Sequence, residues 1–408
     1  FTVMVTYQLS VSWLPVSLAG LVIGALFILP YVLFSATSGQ LAEKYAHPVI
    51  MRWVKNCEIG IMALAAVGFM THDVIILLMC TFLMGLHSTV FGPVKYSYLP
   101  RVLGEHELTG GNGMTEMGTF VAILLGNVAG GLLVAIPDIG HASVAVACVA
   151  VAVFGRWMSG RMPALTATHP NEAINWNPIT ETMRNLRLAR ANAKVFQTLL
   201  GISWMWFFGA VFLSQFPGFA KEVLHGNEQV ASLLLVVFSI GIAIGSLLCE
   251  VLGRRQVEIG LVPLGAMGMT LFTVDLYFAS RGLPPSALMG VAAFVQQPAH
   301  WRVMADLGLL SLSAGLYSVP MYALIQLRSA PSHRARIIAA NNILNALFMI
   351  ISALLAGALL AAGLSIAQVF LCVGLANALV TLYVFATQPE YVQRMKLLLG
   401  LVARPPSR

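Results

Sequence analysis

Residues 229–250 read QVASLLLVVFSIGIAIGSLLCE, twenty-two residues in which the only charged side chain, Glu250, stands last. A helix of about 20 such residues crosses a hydrocarbon core roughly 30 Å thick. Gly241 and Gly245 sit four apart in this run, the small-xxx-small spacing at which two helices approach closely. Working outward in both directions, the same kind of run recurs near 17–39, 50–70, 73–93, 112–136, 140–157, 196–218, 258–280, 303–326, 335–362 and 365–387. A partial run at 1–10 predicts a first helix cut short, which brings the expected number of spans to twelve. Composition agrees: of 408 residues 58% are apolar and 10% charged, with a mean hydropathy of +0.84. No soluble fold of this length hides so much apolar surface.

A net charge of +7 raises the question of nucleic acid, but the basic residues form no stripe. They gather in alternate connections between spans. With the start in the cytoplasm, only Lys221, Arg281 and Arg302 of the 23 Lys and Arg fall outside, as the positive-inside rule requires. Both termini are therefore expected in the cytoplasm. Cys57, Cys80, Cys148, Cys249 and Cys372 show no CxxC or Cys/His spacing and read as buried packing residues. No metal and no cofactor is expected.

The longest polar connection divides the spans six and six, predicting an N-terminal bundle at 1–158, a cytoplasmic linker at 159–193, a C-terminal bundle at 194–390 and a cytoplasmic tail at 391–408. The halves echo one another. Phe91-Gly92-Pro93-Val94-Lys95-Tyr96, then Asn112 and Gly126, matches Ser318-Val319-Pro320-Met321-Tyr322, then Asn342 and Gly357. Repeated halves suit alternating access, in which one bundle rocks against the other around a central site.

Ionisable groups inside spans are costly and therefore informative. Lys55 and Glu58, three apart on one helix face, neutralise each other. Lys95 and Glu116, with Asn112 and Thr115 nearby, either offer a cation and an anion to a zwitterionic headgroup or pair to hold two helices together. Asn341, Asn342 and Asn345 open the eleventh span, and Gln215 stands near the outer end of the seventh. Asp275 is expected to reach water. Gly126 and Gly130 repeat the small-xxx-small spacing and are expected at a helix contact.

Gly39-Gln40-Leu41-Ala42-Glu43-Lys44 resembles the loop signature of major facilitator transporters. The resemblance implies an all-α transmembrane fold of two pseudo-symmetric six-helix bundles, with Gly39, Glu43 and Arg52 acting as a cytoplasmic gate. Residues 91–96, Asn112 to Gly131 and Ser318 to Gln326 are similar to the lysophospholipid transporter branch. That branch implies movement of lysophospholipids, chiefly lysophosphatidylethanolamine, from the outer to the inner leaflet of a bacterial inner membrane for reacylation. The substrate-contact candidates are then Lys95, Glu116, Asn112, Asn342 and Gln215, and the partners are the lysophospholipid and membrane lipids. Phe207–Phe216 and Gln296–Arg302 are similar to versions fused to a phospholipid acyltransferase and an acyl-carrier-protein ligase, implying a module of such a fusion. Two other readings compete: proton-coupled transport of a drug or small metabolite, with Glu116 or Glu58 carrying the proton, and a membrane anchor for a fused enzyme. No His-x4-Asp, Gly-x-Ser-x-Gly or His-Glu-x-x-His is present, so catalysis is not expected within these residues.

Overall fold

The computed structural model describes residue 1 and residues 16–254, 256–283 and 287–400. Its elements are α1 (Val16–Lys44), α2 (His47–Thr71), α3 (Val74–Val102), α4 (Leu108–Val134), α5 (Gly140–Ser159), α6 (Pro178–Arg190), α7 (Ala193–Gly218), α8 (Glu228–Leu252), α9 (Leu261–Ala279), α10 (Val291–Gln296), α11 (Pro298–Arg328), α12 (Arg334–Ala361), α13 (Ile366–Thr387) and α14 (Pro389–Leu398). A 3-10 turn at Glu105–Glu107 precedes α4, and a π turn at Phe219–Val223 extends α7. That wide turn follows Pro217, whose missing N–H removes one rung of the helical ladder. Eleven helices among the described residues are long and apolar enough to cross a membrane. They coincide with the eleven complete runs of the sequence, and the protein is a multi-pass membrane protein. The partial run at 1–10 lies, apart from Phe1, outside the described residues.

Polar residues start the helices where the pattern breaks. Asn177 accepts hydrogen bonds from the amides of Ile179 and Thr180 at the head of α6, Asn227 does the same for α8, and Ser365 with Gln368 closes a capping box on α13.

The chain divides into two compact units. The first comprises Phe1–Val102, Gly126–Gln197 and Arg328–Leu347; the second comprises Leu103–Leu125, Thr198–Leu327 and Phe348–Arg408. The whole 159–193 connection belongs to the first unit, and α4 and α12 each change unit part-way along. In the first unit α1 packs on α3, α2 packs on α3 and α5, and α6 lies against α1. In the second unit α9 packs on α13 and α14. Phe212 and Phe370 stack there with ring centroids 4.2 Å apart, beside Phe208, Phe216 and Phe238.

The Gly241–Gly245 step does what its spacing predicts. A Cβ at Gly245 would overlap the Leu312 carbonyl, and one at Gly241 would overlap the Ser311 hydroxyl, so α8 and α11 meet backbone to backbone. Gly126 and Gly130 do not: a Cβ at either would have nothing within 4 Å among the described residues. Among the described residues the same spacing on α4 meets no other helix, because spacing fixes a face and not its neighbour. The cysteine reading is corrected in part: Cys80 and Cys249 are buried, Cys148 and Cys372 partly so, and Cys57 is exposed on the open side of α2.

Candidate functional site

The end of α1 carries Gly39, Gln40 and Glu43, and the first turn of α12 carries Arg336. A Cβ at Gly39 would stand 2.9 Å from the Ala339 Cβ, so only glycine lets these helices close this tightly. Glu43 and Arg336 are 2% and 1% exposed. Arg336 Nε donates to Glu43 Oε2 at 2.7 Å, and its other guanidinium nitrogens donate to Glu181 of α6 and to Glu172 of the connecting segment. Arg184 stands behind them, 3.8 Å from Glu172 and 3.9 Å from Glu181. One guanidinium thus carries three carboxylates, a fork geometry that lysine cannot supply.

The connecting segment is strapped to the same helix end. The amides of Thr168 and His169 donate to the Glu43 carbonyl at 3.0 and 2.8 Å, satisfying an orphan acceptor at the helix terminus. Gln40 makes a two-way bond with the Asn175 backbone, donating at 3.0 Å and accepting at 2.8 Å. Beside it, His47 Nε2 lies 2.7 Å from Ser97 Oγ, and Arg101 reaches both His47 Nδ1 and the Thr166 carbonyl. His333, in the loop before α12, stacks at 6.0 Å on His169. Burial first, and then the Arg336 charge, hold it below the ordinary histidine range.

The pairing of Glu43 with Arg52 expected from the sequence is not the one formed. Arg52 makes no hydrogen bond or ion pair among the described residues, and Arg336 takes its place on Glu43. Two sequence signals pointed there: Arg334-x-Arg336 at the start of a span, and Glu172 and Glu181 as the only acids in 159–193. Glu43, His169 and Glu172 bring ligand atoms within 4.8 Å of one another, a metal-like grouping. Arg336 already occupies both carboxylates, so the group reads as an ion-pair network.

In the second unit Asn112 and Gln326, 0% and 1% exposed, exchange amide hydrogen bonds of 2.6 and 3.0 Å. Asn112 also donates to the Leu108 carbonyl. Glu116, 1% exposed, follows one turn later on the same face of α4. Gln215 is not brought to this group: it lies near the last turn of α7, where its amide reaches Ser214. Asn112 opens α4 and Gln215 closes α7, so helix alternation puts them at opposite ends of the spans. In the first unit Lys95 is half-buried with its ammonium 4.6 Å from the Tyr96 ring centroid. Asn342 brings its amide against Gly92, where a Cβ would stand 2.7 Å from Nδ2. The sequence echo thus acquires a shape: Asn112 meets the helix of Pro320, and Asn342 meets the helix of Pro93. Asp275 pairs with Arg302 through both its oxygens, and the pair stays exposed.

The sequence profile described as Major Facilitator Superfamily matches residues 2–308. The chain belongs to the major facilitator superfamily. Among curated proteins, this facilitator is 28% identical over 321 residues to a protein of Klebsiella pneumoniae (strain 342) named lysophospholipid transporter LplT, covering 76% of this chain and 72% of that one. It is 26% identical over 309 residues to the protein of the same name from Serratia proteamaculans (strain 568), covering 75% and 70%. Among solved structures, the human organic anion transporter MFSD10 aligns with a TM-score of 0.71 at 12% identity over 93% of this chain and 87% of that one. The facilitator FucP in its outward conformation aligns with a TM-score of 0.67 at 12% identity, covering 93% and 90%. At such identities these two establish the shared fold and nothing finer.

Proposed function

We propose that this protein transports lysophospholipids, lysophosphatidylethanolamine foremost, from the outer to the inner leaflet of a bacterial inner membrane by alternating access, with both termini in the cytoplasm. The observation that carries this reading is the likeness, over three-quarters of the chain, to proteins named lysophospholipid transporter. Polar groups inside the spans support it: Asn112 and Glu116 are buried and Asn342 half-buried, at depths where ionisable and amide side chains are kept for function or for pairing. Lys95 is assigned to a lipid phosphate and Glu116 to an amine, with Asn112 and Asn342 as further contacts. Gly39, Glu43 and Arg336 form the cytoplasmic latch, in which Arg336 replaces Arg52. The delivered lysolipid is an acyl acceptor, which gives a fused or associated acyltransferase and acyl-carrier-protein ligase as partners.

The test is flipping of labelled lysophosphatidylethanolamine in proteoliposomes, comparing wild type with Lys95→Ala and Glu116→Ala. Flipping that both substitutions abolish, in proteins that still elute as monodisperse species, supports substrate and contacts together. Absence of flipping by folded wild-type protein refutes the lipid reading and favours proton-coupled transport of a small solute.

A further inference from the structure

Beside the latch, and wholly within the first unit, lies a polar cavity of about 150 Å³ lined by Arg101, Arg334, His47, Thr168 and Glu43 among others. A cavity of that size takes one molecule as large as benzene, so a tetrahedral oxyanion fits it and a nucleotide does not.

Arg101, in the last turn of α3, is held there by a chain of hydrogen bonds. Ser97 Oγ donates to the Pro93 carbonyl at 2.5 Å and so accepts from His47, whose Nε2 lies 2.7 Å away. With its proton on Nε2, His47 is left with Nδ1 as an acceptor, and Arg101 Nη1 donates to it at 3.2 Å. Another Arg101 nitrogen donates to the Thr166 carbonyl at 2.8 Å. Arg334, which opens α12, is half-buried and less well served. Its one hydrogen bond among the described residues is a marginal 3.5 Å to the Ser329 carbonyl, and its Nε has no partner.

The two guanidinium charges stand close enough to repel. Among the described residues neither has a carboxylate at ion-pair distance, because Arg336 holds Glu43, Glu172 and Glu181. Half-buried charges of one sign brought together are costly unless an opposite charge joins them. The neighbouring arginine two residues on has three acids; this pair has none.

We propose that the cavity binds a phosphate group, gripped by the guanidinium forks of Arg101 and Arg334 with the Thr168 hydroxyl as a further donor. A phosphate carries nearly two negative charges near neutral pH and can take a planar fork on each of two sides, matching two cations where a carboxylate or chloride matches one. Glu43 also lines the cavity, but its carboxylate is already held by Arg336 and its carbonyl by the amides of Thr168 and His169. A bound phosphate would tie the end of α3, the connecting segment and the start of α12 together. Two sources offer the same chemistry, the free ion and the phosphomonoester headgroup of a lipid. The site requires no particular transport substrate, so it stands or falls apart from the transport reading.

The test is equilibrium dialysis of labelled inorganic phosphate against purified protein in detergent, with sodium chloride at matched ionic strength as competitor. Wild type should bind and chloride should not displace the label. Arg334→Lys, which keeps the charge and loses the fork, should weaken binding about tenfold, and Arg334→Gln about a hundredfold, the worth of charge-assisted hydrogen bonds. Repeating the measurement in phosphatidylcholine nanodiscs with and without phosphatidate separates the sources: label displaced by phosphatidate assigns the site to a lipid headgroup, and label retained assigns it to the free ion. No binding by folded wild type, displacement by chloride, or equal binding by wild type and Arg334→Lys would each overturn the proposal. The lysine variant carries the comparison should the glutamine variant fail to fold.

Discussion

Replacing Arg336 with alanine removes the one cation shared by Glu43, Glu172 and Glu181. Glu43 and Glu181 are 2% and 0% exposed, so their charges stay buried with only Arg184, 3.9 Å from Glu181, and His169, 3.9 Å from Glu43, beside them. Removing one partner of a buried ion pair costs about 3–5 kcal/mol, two to nearly four orders of magnitude in the equilibrium that the contact supports. Glu172, whose side chain is 29% exposed, is a different case. Its substitution by glutamine keeps the hydrogen-bonding shape and is expected to cost about 0–1 kcal/mol. Glu43→Gln and Glu181→Gln should fall between. Thermal unfolding in detergent followed by fluorescence-detected size exclusion gives the ranking, and initial flipping rates show whether function follows it. The decisive variant is the charge swap E43R/R336E. In a simple pair it restores stability; here the new carboxylate would face Glu172 and Glu181, so the swap must be as damaged as Arg336→Ala. Rescue by the swap, or equal losses for Arg336→Ala and Glu172→Gln, would refute the shared-cation account.

Either Asn112→Leu or Gln326→Leu breaks the buried amide pair and should cost about 1–3 kcal/mol, while the double variant should cost less than the sum, with a coupling of about 0.5–3 kcal/mol in a melting-based cycle. Additive losses would mean the amide pair contributes nothing as a pair. Gly245→Ala should lower the melting temperature sharply because its Cβ meets the Leu312 carbonyl, whereas Gly126→Ala, with nothing within 4 Å among the described residues, should be neutral or gain up to about 1 kcal/mol. His333 is held below its unfolded pKa of about 6.5, so the unfolded chain binds its proton more readily. Its contribution is complete above that pH and is lost as the pH falls from about 6.5 towards the folded value. His333→Gln should therefore flatten the low-pH side of the stability profile, and an unchanged profile would count against that assignment.

Hydropathy alone made the eleven described spans legible, because lipid demands about 20 apolar residues whatever they pack against. The echo around Pro93 and Pro320 was legible too, since repeats keep their punctuation. Partners across the fold were not. Glu43 was found from its motif, but Arg336 lies almost three hundred residues away, and no local period links the two. Gly241 and Gly126 carry identical spacing with opposite surroundings, as spacing reports a face and only packing reports what covers it. Lys55 and Glu58 sit one turn apart and could be paired on sight, as they are at 2.6 Å; His87, on the next helix and 2.9 Å from the same carboxylate, could not.

The strapped segment between α5 and α6 bears on how this protein can be handled. Because Thr168, His169, Glu172 and Asn175 are all held against the end of α1 or by Arg336, the stretch is an internal wall rather than a spacer. A reporter, tag or protease site inserted there would pull the wall out of register, although sequence alone marks it as the obvious permissive insertion point. Loop exchanges between relatives should accordingly carry residues 166–181 together with the α1 and α12 ends they bind, as one cassette.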